Sequence, residues 1–203
     1  MKKITFGFIG TFSYWHGVEV IQELVKELSK KYKQVHFLMI GDGVLLPTFK
    51  KMVQENKLES FVTFTGLIEQ HKAPEYLQKC DAYLCPTQPN ADGSRFFGSP
   101  TKLFEYMSME KPVIASDLEQ LSEVVSPALK ITGDKKIAPL TVCNEVGIVV
   151  PPLDGQGFVR ACEVMLQMDE LERMKMGSNA RQKVIDKYTW KKHVQKIIEH
   201  ALL

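Results

Sequence analysis

The chain has 203 residues, of which 44% are hydrophobic, and its 26 lysines and arginines nearly balance its 24 aspartates and glutamates. A chain of this length builds one substantial core but not two full domains, so we expect a single domain over residues 1–203. Because the charges are scattered rather than clustered, they exclude a general nucleic-acid-binding or membrane-binding surface.

The first half of the chain alternates apolar runs with amphipathic patterns. Residues 4–10 form an apolar run that ends in glycine, and residues 35–43 repeat that ending. Both runs are typical of buried strands. The predicted elements of this half are strands at 4–10, 35–43, 61–66 and 81–86, with helices at 17–32, 45–56 and 73–79.

The second half continues the alternation and then becomes helical. Its predicted elements are helices at 101–109 and 118–125, strands at 112–116 and 145–152, and closing helices at 155–167, 169–186 and 190–202. Residues 127–144 fit neither period, so we expect a surface excursion there. The carboxyl-terminal segment 187–203 carries an amphipathic helix with Val194, Ile197, Ile198 and Ala201 on one side. That side either packs on its own domain or docks on an absent amino-terminal domain.

Strands that are apolar throughout and alternate with helices predict an α/β fold, a Rossmann-like three-layer α/β/α sandwich with a mainly parallel sheet. Ligands of such sheets bind beyond the carboxyl ends of the strands. Gly10, Gly41, Gly43 and Gly66 follow predicted strands. These glycines either make tight turns only or share a crevice at that edge. They do not form the GxGxxG pattern that is the usual dinucleotide fingerprint.

Neither a metal site nor a membrane segment is indicated. The four cysteines form no CxxC pair and have no histidine at zinc spacing, so we expect free thiols and no metal. The apolar run at the amino terminus is too short for a secretory signal, and no run approaches the roughly 20 residues that span a membrane. We therefore expect a cytoplasmic chain without a transmembrane segment.

A cation stands at the start of the helix predicted from residue 101. Ser99 fits the N-cap and Pro100 the first helical position, and Lys102 adds charge to a helix end that is already partly positive. A phosphate would remove this conflict, bound by free N–H groups, the Thr101 hydroxyl and Lys102. The same residues also suffice for an ordinary helix start. One turn on, Glu105 either pairs with Lys102 or accepts hydrogen bonds from a ribose.

An ordered set of segments gives the chain a resemblance to a known family. The segments are GFIGTFSYWHGVEVI, FLMIGDG, VTFTGLI, DAYLCPT, SPTKLFEYMSMEKPVIAS, VGIVVPP and YTWKK. Together they resemble the carboxyl-terminal, donor-binding domain of the retaining glycosyltransferases of family 4 (group 1), which have the two-domain GT-B fold. The resemblance covers nearly the whole chain apart from residues 127–144.

The resemblance implies a site for a nucleoside diphosphate sugar. It places the base near Gly66 and Leu67 and the ribose on Glu105. The candidate binding residues are Gly10, Thr11, His16, Gly41, Gly66, Leu67, Ser99, Pro100, Thr101, Lys102 and Glu105. Lys102 is also the candidate catalytic residue, because its charge would stabilise the leaving diphosphate.

The resemblance also implies a reaction. A hexosyl group would pass, with retention of its anomeric configuration, to a glycan or lipid-linked acceptor in cell-envelope polysaccharide or lipopolysaccharide synthesis. No cofactor or metal would be required. The donor would be a UDP-sugar in preference to a GDP- or ADP-sugar.

Four positions depart from the family pattern. Thr11 and His16 stand where an arginine and a lysine are usual. Lys102 would replace part of that charge, and His16 either contacts phosphate or is a structural histidine. Phe97 stands where the first of two paired glutamates contacts the donor sugar. Glu110 replaces a glycine at the end of its helix, where a left-handed residue often forms the cap.

The family's amino-terminal half, which binds the acceptor, has no counterpart in 203 residues. We therefore expect a fragment or one chain of a split enzyme, inactive alone and completed by an acceptor-binding domain in the same or a partner chain. Any association with the inner face of the membrane would belong to that half. The departures leave an alternative open, a non-catalytic nucleotide-sugar-binding or protein-interaction module of the same fold.

Overall fold

A computed structural model describes residues 3–96, 98, 101–134 and 141–201. Its strands are β1 (Ile4–Ile9), β2 (Val35–Ile40), β3 (Val62–Gly66), β4 (Ala82–Cys85), β5 (Val113–Ser116), β6 (Leu129–Lys130) and β7 (Gly147–Val150). Its helices are α1 (Val18–Lys31), α2 (Leu46–Glu55), α3 (Ala73–Leu77), α4 (Thr101–Ser108), α5 (Glu119–Val125), α6 (Gly155–Gln167), α7 (Glu170–Lys187) and α8 (Trp190–Ala201).

In the described part of the chain, the strands form one seven-stranded sheet in the order β3-β2-β1-β4-β5-β7-β6. Each neighbouring pair is parallel. The chain builds outward from β1 through β2 to β3, and then begins again on the other side of β1 with β4. Such a reversal of strand order opens a crevice at the carboxyl ends of the strands around β1.

Helices cover both faces of the sheet because the strands bury side chains on both. Phe6 and Phe37 pack in one cluster with α1, α2 and α6. Tyr83 and Val113 pack in a second cluster with α3, α4, α5 and α7. A fully buried side chain of this size contributes about 1.5–3 kcal/mol to folding. The predicted three-layer α/β/α sandwich is therefore confirmed.

The prediction for residues 127–144 needs a correction. This stretch contains β6, whose Leu129 pairs with Ile148 at the edge of the sheet. A strand of two residues is too short to show the alternation by which strands are predicted. Residues 135–140 lie outside the described part of the chain.

Helix α8 leaves its apolar side exposed. Trp190, Val194, Ile197 and Ile198 expose between 48% and 81% of their surface. The side chain of Ala201, the remaining member of the predicted stripe, lies outside the described part. Within the residues that the structure describes, the apolar side of α8 is thus not packed on its own domain.

Candidate functional site

The glycines at the predicted strand ends lie side by side at the carboxyl edge of the sheet. The Gly10 N–H donates to Ile40 O at 3.0 Å, and the Gly41 N–H donates to Gly66 O at 3.0 Å. Gly41 has a φ of 124°, and a Cβ atom there would lie 2.0 Å from Gly10 O. A side chain at Gly41 would therefore force the turns after β1 and β2 apart.

A cavity of about 390 Å³ opens above β1, β2 and β3, and we call it the β1–β3 cavity. Its lining includes five of the predicted site residues, which are Gly10, Thr11, Gly41, Leu67 and Glu105. Leu67 exposes 80% of its surface at the cavity rim, directly after Gly66. The fold thus brings together residues that are up to 95 positions apart in the chain.

A second cavity, of about 300 Å³, lies on the other side of β1, and we call it the β4–β5 cavity. Its described lining is Trp15, His16, Cys85, Thr87, Phe96, Gly98, Lys102, Leu103 and Leu121. His16 and Lys102 are the predicted site residues in this set. The predicted residues therefore divide between two cavities, and the segment after β1 contributes residues to both.

Lys102 reaches from α4 to that turn. Its Nζ lies 4.5 Å from the centroid of the Phe8 ring, and a Cβ atom on Gly10 would lie 2.8 Å from it. Burial lowers the pKa of Lys102, and the nearby Cys85 thiol and Glu105 carboxyl group act in the opposite direction. Within the part of the chain that the structure describes, no carboxylate forms an ion pair with this ammonium.

Glu105 lies one turn further along α4 and lines the β1–β3 cavity. Partial burial raises the pKa of its carboxyl group, and the charge of Lys102 lowers it. Because no ion pair joins the two among the described residues, the intrahelical pair considered from the sequence is not formed. The Glu105 carboxylate instead remains exposed beside the cavity.

His16 is held by the turn after β1. Its Nδ1 lies 2.7 Å from Thr11 O and 3.2 Å from Ser13 Oγ. A carbonyl oxygen only accepts, so Nδ1 carries a proton and Nε2 is the acceptor of a neutral ring. Burial lowers the pKa of His16, and so does the charge of Lys102, while the bond to Thr11 raises it. This arrangement favours the structural alternative for His16, since a neutral ring attracts phosphate weakly.

Several predicted residues lie at or near the start of α4. Ser99 and Pro100 fall outside the described residues, and so does Phe97. Thr101 is the first residue of α4 and is exposed. After the helix, Glu110 adopts a φ of 60°, so the left-handed cap forms without the usual glycine.

Sequence reasoning missed one residue that organises the site. The Ile9 N–H donates to the hydroxyl of Tyr106 at 2.9 Å, which ties α4 to the last residue of β1. The Tyr106 ring also stacks on Tyr83, with centroids 4.5 Å apart. A buried tyrosine on the apolar side of a helix is typical of an ordinary core position, so the sequence held no signal of this role.

Other classes of site are not indicated in the described residues. No group of three or more histidine, cysteine, aspartate or glutamate residues there is placed to hold a metal ion. Cys80, Cys85 and Cys162 are buried free thiols, and Cys143 is an exposed one. No described helix combines the length and the apolar composition that crossing a bilayer requires.

Comparison with known proteins gives concordant results. The family model described as "Glycosyl transferases group 1" matches residues 3–168. The alpha-D-kanosaminyltransferase of Streptomyces kanamyceticus is 25% identical over 182 residues, which are 90% of this chain and 41% of that protein. The chain thus spans less than half the length of the first curated relatives that it matches.

Solved structures share the fold. The Anabaena protein HepE in complex with UDP superposes with a TM-score of 0.77 at 16% identity, covering 98% of this chain and 49% of that one. The carboxyl-terminal domain of a group 1 glycosyl transferase family protein, LpcC from Francisella tularensis, gives a TM-score of 0.71 at 22% identity. That match covers 93% of this chain and 88% of the LpcC domain.

Proposed function

The chain belongs to the group 1 glycosyltransferases, and we propose that it is the donor-binding half of an enzyme that transfers a hexosyl group from a nucleoside diphosphate sugar. Its fold is that of the carboxyl-terminal domain of GT-B proteins. In this proposal the acceptor is a glycan or a lipid-linked molecule of cell-envelope polysaccharide or lipopolysaccharide synthesis. The transfer retains the anomeric configuration of the sugar.

The observation that carries the proposal is the meeting of a basic group, a backbone turn and a carboxylate at the carboxyl edge of the sheet. Lys102 Nζ lies against the turn at Gly10. A diphosphate bound there would be the anionic partner of this ammonium group. Glu105 lines the β1–β3 cavity, where its carboxylate would accept bonds from the ribose hydroxyls. Leu67, at the same cavity's rim, would contact the base.

Lys102 is also the proposed catalytic residue. As the glycosidic bond of the donor breaks, negative charge grows on the leaving diphosphate. An ammonium that is already in place and partly shielded from water stabilises such charge more strongly than an exposed one. The start of α4 at Thr101 would add N–H donors to the same phosphates. In this proposal no metal ion or cofactor is required.

The proposed donor is a UDP-sugar in preference to a GDP- or ADP-sugar. The support is the structural neighbour HepE, which was solved with UDP. The base would be bound largely through backbone groups near Gly66, which side-chain identity encodes poorly. We propose a cytoplasmic location, with any contact at the inner face of the membrane made by the acceptor-binding half.

The acceptor-binding half is proposed to lie in an amino-terminal domain, in the same or a partner chain, and α8 is proposed to dock on it. Two observations support this. The chain spans less than half of its first curated relatives. The exposed apolar side of α8, with Trp190 exposed by 81%, is a surface that contact with another domain would cover. The described chain alone is then expected to bind donor without transferring sugar.

Calorimetric titration of the chain with UDP, GDP and ADP tests the donor site. One diphosphate should bind selectively, and Lys102→Met and Glu105→Gln should each weaken its binding by about tenfold or more, because each removes a charged partner. The matched controls are Lys51→Met and Glu55→Gln on α2, where the same side chains form an exposed pair. Equal affinity in all five proteins, or no binding of any diphosphate, would contradict the proposal.

The second candidate function is a non-catalytic nucleotide-sugar-binding module. The observation that favours it is the neutral His16, which is held by Thr11 O where the family has a basic group. Supplying an amino-terminal acceptor domain separates the two functions. Transfer of labelled sugar by the combined protein would support the enzyme, whereas tight diphosphate binding without any transfer would support the module.

A further inference from the structure

The two cavities differ in chemistry, and the difference bears on which sugar the donor carries. We propose that the β4–β5 cavity receives the sugar and selects a deoxyhexose, a hexose in which hydrogen replaces at least one hydroxyl group. The inference rests on the proposed function, because it takes the diphosphate to lie at the turn after β1.

The position of the cavity follows from the strand order. The β1–β3 cavity lies above β1 and the strands on one side of it, and the β4–β5 cavity lies on the other side, at the end of β4 and beside α4. The turn at Gly10 and Thr11 stands between them, touched by Lys102 from one side and by His16 Nδ1. In a nucleoside diphosphate sugar, the diphosphate carries the nucleoside at one end and the sugar at the other. With the nucleoside in the β1–β3 cavity, the sugar is directed to the β4–β5 cavity.

The size of the cavity suits one sugar ring. Its volume of about 300 Å³ is at the lower end of the range for small-molecule pockets. A single hexose would fill much of a cavity of this size. The lining therefore contacts much of the sugar surface and can discriminate between its substituents.

The lining is poor in groups that bind hydroxyls. Its described apolar side chains are Trp15, Cys85, Phe96, Leu103 and Leu121, and its described polar ones are His16, Thr87 and Lys102. No carboxylate or carboxamide is among these described side chains. Carboxylates and carboxamides are the groups that accept bonds from several sugar hydroxyls at once.

The described polar side chains of the lining are largely engaged elsewhere. His16 Nδ1 donates to Thr11 O, Thr87 Oγ1 lies 3.6 Å from Cys85 Sγ, and Lys102 faces the proposed diphosphate. Among the described side chains of this lining, the His16 Nε2 acceptor and the remaining capacity of the Thr87 hydroxyl are left for a sugar. A fully hydroxylated hexose in this cavity would leave hydroxyls without partners, which is unfavourable. The C–H surface of a deoxyhexose would instead pack on the Phe96 and Trp15 rings.

Titration with matched donors tests the inference. The probes are UDP, UDP-glucose and the 3-deoxy, 4-deoxy and 6-deoxy analogues of UDP-glucose, with the same series on GDP if the chain selects GDP. At least one deoxy donor should bind about tenfold more tightly than the parent sugar nucleotide, because one unpartnered hydroxyl is removed.

A substitution in the lining provides a second readout. Phe96→Gln places an amide in the β4–β5 cavity and should reduce the deoxy preference to within about threefold, while UDP alone binds as before. Unchanged UDP affinity also reports that the variant is folded. The matched control is Phe61→Gln, since Phe61 is half-buried below Lys33 and outside both cavities. This control should keep the preference of the original chain.

The outcomes separate the two proposals. UDP or GDP binding with no deoxy donor tighter than its parent overturns this inference and leaves the proposed function standing. A deoxy preference that Phe96→Gln leaves intact also overturns it, because the selection then lies elsewhere. Failure of every diphosphate to bind overturns the proposed function and this inference with it.

Discussion

Tyr106 joins α4 to the end of β1 through one buried hydroxyl group. The hydroxyl oxygen accepts from the Ile9 N–H at 2.9 Å, and the hydroxyl O–H donates to Ile9 O at 3.4 Å. Gly10 follows Ile9 directly, so this bond sets the height of Lys102 above the turn that is proposed to hold phosphate. Tyr106 lines neither cavity, yet it positions Lys102 and Gly10, which are both proposed to contact the diphosphate.

Tyr106→Phe is predicted to lower the free energy of unfolding by about 1–3 kcal/mol, because the part-buried Ile9 N–H loses its partner. Urea denaturation measures the change. Tyr32→Phe is the matched control, since the Tyr32 hydroxyl donates to Glu163 at 3.3 Å near the surface and water replaces that bond. A Tyr106→Phe chain as stable as the Tyr32→Phe chain would show that the hydroxyl does not hold α4 on β1.

At the scale of the element, the turn that follows α4 contains a residue under backbone strain. Glu110 has a φ of 60°, and its N–H donates to Met107 O at 3.1 Å. Glu110→Gly should raise the free energy of unfolding by about 0.5–1 kcal/mol, because glycine adopts this conformation without steric cost.

The control for Glu110→Gly is the same substitution inside a helix. Glu27→Gly on α1 should lower the free energy of unfolding by about 1 kcal/mol, since glycine disfavours helix interiors. Thermal or urea denaturation of both variants gives the signs. A loss of stability at position 110 would mean that the Glu110 side chain contributes more than the strain removes.

The elements that the sequence predicts well are those with long periodic patterns or glycine endings. The strand β2 and the helix α6 fall at or within their predicted bounds. The turns after β1, β2 and β3 meet at the carboxyl edge of the sheet, as the glycines at the strand ends predicted. The strand β6 escapes prediction because its residues pair across the sheet and carry no local signal. The hydrogen bonds from Ile9 N–H to Tyr106 and from His16 to Thr11 O could not be predicted either. Each involves backbone that is distant in sequence or irregular, and hydrophobic periodicity carries no information about such bonds.

At the scale of the whole molecule, the reversal of strand order explains why two cavities flank one turn. Strands β2 and β3 extend the sheet to one side of β1, and β4 and β5 extend it to the other. The turn after β1 therefore stands at the centre of the crevice, with space on both sides. This arrangement suits the proposed nucleoside diphosphate sugar, whose charged diphosphate lies between the nucleoside and the sugar.

Helix α8 lies outside this arrangement of sheet and cavities, and its apolar side is exposed. Ile197 exposes 54% of its surface, whereas Ile21 on α1 is fully buried. Ile197→Ala should therefore change the free energy of unfolding by less than about 0.5 kcal/mol, and Ile21→Ala should lower it by about 2–5 kcal/mol. Urea denaturation of the two variants compares one substitution in two environments. A large loss at Ile197 would show that α8 packs on its own domain and would remove the support that its exposed side lends to docking on an amino-terminal half.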